Sequence, residues 1–227
     1  RGQFIKTFAQ DDILEPRSLE ALSDVLLKRP DISLVSSARR VIDAAGNCSY
    51  ERRPFGASMA MPAREVITFN LINLNNWVGE PSTVMFRALD VGSGFDAAYY
   101  HYGDIEYWFR LLGKGNYYFV DEMLCSFRRH ADSQTDKNHR QLFFALDILR
   151  LSLTYRHMLA DIETEEVFRR RISETIALQL GHVSDRSNDD LVAFYESEFL
   201  TATKTETVSP VAAAGFRLLA AYALTGM

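Results

Sequence analysis

FAQDDILEP, residues 8 to 16, sets two adjacent acids, Asp11 and Asp12, between apolar residues and closes with Pro16. Phe4, Ile5 and Phe8 precede the acids, and Ile13 and Leu14 follow them. The local pattern predicts a buried strand whose end emerges at Asp11. Like charges at the end of an apolar strand repel and desolvate one another, so they are best tolerated where a cation or solvent meets them. A turn with a helix N-cap ahead of Pro16 explains the same residues equally well. The choice between the two depends on the rest of the chain.

Outward from this segment, strand and helix signals mix. Pro16 to Lys28 places Leu19, Leu22, Val25 and Leu26 on one helical face, and Pro30 ends the run. Ile32 to Ser37 reads as a strand that Arg39 to Asp43 continues toward the AGN turn at residues 45 to 47. Residues 48 to 65, with Pro54, Gly56 and Pro62, predict an irregular active-site or surface loop. Asn70 to Asn76 fits helix or loop. Ser82 to Phe86 reads as strand, Asp104 to Leu112 as helix, and Asn116 to Phe127 as strand. Beyond about residue 136 the strand signals stop, and Leu142–Met158, Glu165–Leu180, Asp189–Phe199 and Pro210–Leu224 all read as helices. The expected organisation is an α/β region, 1–135, followed by an all-helical region, 136–227.

The 227 residues are 47% apolar, enough for one sizeable core with a smaller helical unit. A net charge of -5 without a Lys/Arg run argues against nucleic acid as a partner. Cys48 and Cys125 are far apart and lack metal-ligand spacing, which predicts free thiols in a reducing compartment. No apolar run reaches the roughly 18 residues of a membrane span, and no signal peptide is visible, so a cytoplasmic location is expected. The first residue is Arg1 rather than Met, which suggests a missing upstream segment.

Three further stretches concentrate polar groups. In NWVGEPSTVMFR, residues 76 to 87, Gly79 and Pro81 set a sharp turn before a strand and leave Glu80 and Ser82 at its mouth. An ordinary turn before a strand accounts for this too. In GDIEYWFRLLGKG, residues 103 to 115, Asp104 stands at a helix N-terminus, which favours its ionised form. Trp108, one turn on, offers an apolar wall beside an accessible base, whereas Glu106 points elsewhere and reads as structural. Asp104 as a plain helix cap is the competing reading. In SFRRHADSQT, residues 126 to 135, a strand ends in Arg128, Arg129 and His130, a set suited to a phosphate-bearing ligand. The other histidines, His101, His139, His157 and His182, form no metal-type cluster.

Taken in order, GQFIKTFAQDDILEPRSLEAL, GEPSTVMFR, GSGFD, GDIEYWFRLL and FRRH resemble the second half of a family 2 glycosyltransferase catalytic domain with the GT-A fold. The resemblance spans roughly residues 1 to 135. It implies a mixed α/β sheet lacking its N-terminal half, with roughly 80 to 100 residues of the domain expected before Arg1. It also implies that Asp12 holds Mg²⁺ or Mn²⁺ on the donor diphosphate, that Asp11 faces the ribose or sugar, and that His130 can join the metal. By the same resemblance Asp104 is the general base, and Arg128 and Arg129 assist with diphosphate charge. Glu80, Ser82 and Trp108 complete the donor side.

The implied reaction is inverting transfer of a sugar from a nucleotide-diphosphate sugar to a saccharide or lipid-linked acceptor, in cell-surface glycan or polysaccharide synthesis. A hard cation on carboxylate oxygens and a base on the attacking hydroxyl are what this chemistry needs. Ala9 stands where the family often has a further Asp, which leaves the donor open, and the QxxRW motif of processive synthases is missing, which favours single-sugar transfer. A metal-dependent nucleotidyltransferase and a non-catalytic interaction module are the rival readings. The final stretch, 208 to 227, carries Arg217 as its single charge. It is expected to be covered by the other tail helices or a second copy of the chain, with peripheral membrane contact as the alternative.

Overall fold

The computed structural model describes residues 2–73, 75–129, 143–164, 166–168, 170, 171, 193 and 197. The chain divides into two compact units, Arg1–Lys137 and Asn138–Met227.

The first unit is α/β and is built on two long strands. In chain order its strands are β1 (Phe4–Lys6), β2 (Ile13–Leu14), β3 (Ile32–Ile42), β4 (Cys48–Arg52), β5 (Met59–Met61), β6 (Val84–Arg87) and β7 (Asn116–Arg128). β3 and β7 run parallel, from Ile32 opposite Asn116 to Ile42 opposite Arg128. All but one residue of β3 is buried, as expected of a parallel strand covered on both faces. The outer edge of each long strand is shared by two short antiparallel ones. β3 takes β6 along Leu34–Ser36 and β4 along Arg39–Ile42. β7 takes β5 along Tyr117–Phe119 and β2 along Cys125–Ser126. β1 pairs with β6, so the sheet runs β1-β6-β3-β7-β2, and residues 7 to 12 carry the chain from one border to the other.

Helix α1 (Ser18–Lys28) covers one face, where Leu22 and Leu26 pack with Ile32, Val35, Met85, Val120 and Leu124. Each of these leucines contributes about 2 kcal/mol by leaving water. Arg87 closes the helix end by donating to the carbonyls of Leu26 and Arg29, a favourable place for a cation. Helices α2 (Ala63–Asn73) and α3 (Gly103–Leu112) bury Val66, Ile67 and Leu71, and Tyr107, Trp108 and Phe109. The Phe86 ring of β6 lies 5.5 Å from Tyr107 and 6.3 Å from Trp108.

Several expectations change. Leu19 is 54% exposed, because the buried stripe of α1 runs through Ser18, Leu22 and Leu26 instead. The expected loop at 48–65 holds β4, β5 and the start of α2, and α2 continues through Asn73. The buried strand running to Asp11 is also corrected: β1 stops at Lys6, and Asp12 N–H donates to the Ala9 carbonyl across a turn. Phe8 and Ile13 are about half exposed, so the apolar residues around the acids do not form one buried strand.

In the second unit a helix at Phe143–Tyr155 leads into a 3₁₀ turn at Arg156–Leu159. Arg171 pairs with Glu163 at 2.6 Å. The expected helices at Asp189–Phe199 and Pro210–Leu224, and the apolar stretch 208–227, lie outside the described residues apart from two isolated positions. Among the described residues no helix is long and apolar enough to cross a membrane. Cys48 is exposed, Cys125 is buried, and both are free.

Candidate active site

Beyond β1 the chain is pinned to the turn before β6 by side chains. Thr7 Oγ1 donates to the Pro81 carbonyl at 2.6 Å, and Ser82 Oγ accepts the Ala9 N–H at 2.8 Å. Lys6 Nζ donates to the Thr7 carbonyl at 3.0 Å and to the Ser82 carbonyl. This anchoring fixes the turn that presents Asp11 outward and Asp12 inward. The two carboxylates diverge because the backbone turns, not because strand residues alternate.

Asp12 is 8% exposed. Its Oδ1 accepts the Arg128 N–H at 2.9 Å, while its Oδ2 is buried without a hydrogen-bond partner. Burial raises its pKa above the usual carboxylate value, against the pull of the Ser82 hydroxyl and the Arg128 amide; Asp11 and Glu80 push in the same direction as burial. Lys6 shares this pocket. Burial lowers its ammonium to about 8, opposed by Cys125 and Asp12. Cys125 itself is pushed up to about 12, chiefly by burial, so it stays a thiol and makes a poor nucleophile.

Across the site, the turn at 76–80 is locked by one asparagine. Asn76 Oδ1 accepts the Gly79 N–H at 2.8 Å, and its Nδ2 donates to Gly79 O at 3.0 Å and to Asp104 Oδ2 at 2.7 Å. Trp108 Nε1 donates to the same Gly79 carbonyl at 3.0 Å. Gly79 needs its φ of +125°, and a β-carbon there would sit 2.2 Å from Thr83 Oγ1, within a buried and hydrogen-bonded residue. Gly79→Ala is therefore expected to cost about 3 kcal/mol, measured by urea unfolding. A loss within about 0.5 kcal/mol of zero would mean the turn yields easily.

Asp104 sits in the first turn of α3 but is not its cap: the N-cap residue is Tyr102, with no side-chain bond. Asp104 Oδ1 accepts the Ile105 N–H at 2.8 Å. The residue keeps some solvent exposure, yet burial of its carboxyl raises the pKa to about 7. The Ile105 amide and Asn76 oppose this, and Glu80 reinforces it. Desolvation thus outweighs the helix N-terminus that was expected to keep the group ionised.

Glu80 faces Arg39, a residue 1% exposed, in a close ion pair, and Arg52 Nη1 lies 3.8 Å from its Oε1. Its charge acts on both Asp12 and Asp104, which puts these three carboxyl groups in one electrostatic field. Ser82 joins Asp12 but is fully buried rather than at an open mouth. Glu106 turns away to Arg110 at 2.8 Å, as expected of a structural residue.

The remaining expected site residues are placed differently. Trp108 is 0% exposed, in contact with Phe86 and Tyr107, so it acts as a support beneath the Gly79 turn and offers no face to a ligand. Arg128 spends its guanidinium on backbone: Nε donates to Asp11 O at 2.8 Å, and Nη1 to Asp43 O at 2.9 Å and Ala44 O at 3.0 Å. Arg129 is exposed, and its charge is felt at Arg52. His130 lies outside the described residues. Among those described, no group of three His, Cys, Asp or Glu residues is arranged to hold a metal.

Lys6 and Arg39 went unmarked in the sequence. Lys6 ends the short strand β1, and Arg39 stands beside Arg40 in β3, so no local signal sets either apart.

No family model matches this chain. Over 145 residues, 57% of the chain, it is 32% identical to "Uncharacterized protein MT1568" of Mycobacterium tuberculosis (strain CDC 1551 / Oshkosh). The match covers 43% of that protein, so the chain spans less than half its length.

Proposed function

We propose that residues 1 to 135 are the second half of a GT-A catalytic domain of family 2 glycosyltransferase type. The reaction is inverting transfer of one sugar from a nucleotide-diphosphate donor to the hydroxyl of a saccharide or lipid-linked acceptor, in the cytoplasm. One observation carries this reading: Asp12 and Asp104, distant in sequence, share the field of Glu80, the first with an unpartnered oxygen and the second with a pKa of about 7.

A base must be unprotonated when it acts yet basic enough to take a proton, and a pKa near the working pH meets both needs. Asp104 accepts the proton of the attacking acceptor hydroxyl. Asn76 holds the carboxylate through Oδ2, and the Ile105 amide holds Oδ1. Trp108 fixes the turn that carries Asn76 through the Gly79 carbonyl.

The Asp12 oxygen suits a hard divalent ion, since Mg²⁺ takes one or two protein carboxylates and completes its shell with water and substrate phosphate. Such an ion, when bound, neutralises charge on the departing nucleoside diphosphate. Arg128 keeps Asp12 oriented through its backbone amide and ties the Asp11 turn to residues 43 and 44.

The test uses the full-length protein. Calorimetry with UDP-, GDP- and dTDP-sugars should show Mn²⁺-dependent binding that Asp12→Asn weakens by about 100-fold or more. Undiminished Mn²⁺-dependent binding in the variant removes Asp12 from the donor site. Product analysis separates the nearest alternative: nucleoside diphosphate marks sugar transfer, whereas pyrophosphate marks a nucleotidyltransferase.

A further inference from the structure

The register of β3 against β4 places Arg39 opposite Arg52. Both meet Glu80, Arg39 in its close ion pair and through Nη2 at 3.2 Å, Arg52 more loosely at 3.8 Å. Arg39 Nη1 is buried and has no hydrogen-bond partner. Gly79 closes in behind it, where an added β-carbon would lie 3.3 Å away. Arg52 keeps 27% of its side chain exposed. Arg129, tied by its N–H to the Ile42 carbonyl at 2.9 Å, adds a third, exposed cation. Arg39 and Arg129 both work against the charge on Arg52, whose pKa is lowered chiefly by burial and is only partly supported by Glu80.

Two guanidinium groups thus meet the Glu80 carboxylate, and the charge of a third, Arg129, bears on Arg52 beside them. A purely structural ion pair needs no such excess, because an unmatched, partly buried cation is costly to keep. A planar guanidinium fork at a solvent-reached edge matches the two oxygens of a carboxylate or phosphate.

We propose that Arg39, Arg52 and Arg129 form an oxyanion subsite beside Glu80, which receives a phosphate or carboxylate group of a substrate. Arg52 and Arg129 meet the ligand at the rim, and Arg39 strengthens the field from below. Glu80 is the resident counter-charge, so it weakens the site at the same time as it keeps the empty site folded. Assigning the ligand to a transferase substrate rests on the function proposed above; the oxyanion site does not.

The test is calorimetric titration of the full chain with inorganic phosphate and, separately, methyl glucuronide, at constant ionic strength. Saturable binding is expected. Arg52→Gln should weaken it about 10-fold and Arg52→Lys less, since Lys keeps the charge without the fork. Glu80→Gln should tighten it about 5-fold by removing the competing carboxylate, a gain that a merely structural ion pair does not predict. Melting by circular dichroism accompanies each variant. If Arg52→Gln unfolds, Arg129→Gln, at an exposed position, carries the comparison.

Repeating the titrations with saturating UDP separates the two sources of the oxyanion. Phosphate displaced by UDP assigns the subsite to the donor diphosphate, and methyl glucuronide binding unaffected by UDP assigns it to an acidic acceptor. Absence of saturable binding in the unaltered chain, or equal affinity in the arginine variants, overturns the subsite. These titrations need no turnover, so their result is independent of any assay of Asp104.

Discussion

Asp104→Asn is expected to lower turnover by about 100-fold or more and, in the same protein, to raise stability at pH 8. The two effects have one physical source. A carboxyl group ordinarily ionises near pH 4, but burial holds the Asp104 pKa at about 7. Between those two values the folded chain keeps a proton that the unfolded chain has released. Stability therefore falls as pH rises through this window and levels off above about 7. Asparagine cannot ionise, so it removes that cost, of the order of 4 kcal/mol at pH 8, while its one amide oxygen replaces only one of the two acceptors used by Asn76 and the Ile105 N–H. Asp12 shifts in the same direction, so a smaller slope remains in the variant. Urea unfolding at pH 5 and pH 8 reads the stability, and the acid limb of the pH–rate profile, expected near pH 7, reads the base. A variant with near-normal turnover makes Asp104 structural.

Trp108→Ala is expected to cost about 4 kcal/mol of folding stability. The ring is 0% exposed and touches Phe86, Tyr107 and Phe95. Its loss leaves a cavity and removes the indole donor from the Gly79 carbonyl. Trp108→Phe keeps most of the volume and forfeits the hydrogen bond, for about 1 kcal/mol. Because the carbonyl belongs to the turn that carries Asn76, the Phe variant should also reduce turnover with little change in donor affinity. If Trp108→Ala unfolds at the same urea concentration as the unaltered chain, the wall beneath the turn is not what holds it.

The parts of the fold that were legible in the sequence carry their own signal. β3 and β7 are long and rich in aliphatic and aromatic residues, and α1 and α3 have clear helical spacing. β4, with the sequence CSYER, is almost wholly exposed, and β5 has three residues. Neither has apolar alternation, and both exist because β3 and β7 offer them edges. The two acids at 11 and 12 were visible as a pair, yet which one is buried depends on bonds from Ala9 and Lys6 to Ser82, more than seventy residues away. The partnership of Arg39 with Glu80 spans 41 positions. Long-range pairing of that kind leaves no local periodicity to read.

The strap formed by residues 7 to 12 has a consequence for how the molecule is made. A ribosome delivers these residues well before their partners: Ala9 has no serine to bond until residue 82 has emerged, and Asp12 has no amide to receive until residue 128. Contacts this far apart in the chain close slowly, because the loop between them must be ordered first. Helix α1 and β3, by contrast, are neighbours in sequence and collapse early. The newborn chain therefore holds Asp12 in water, fully charged and harmless to folding, and only the arrival of β7 draws it out of solvent.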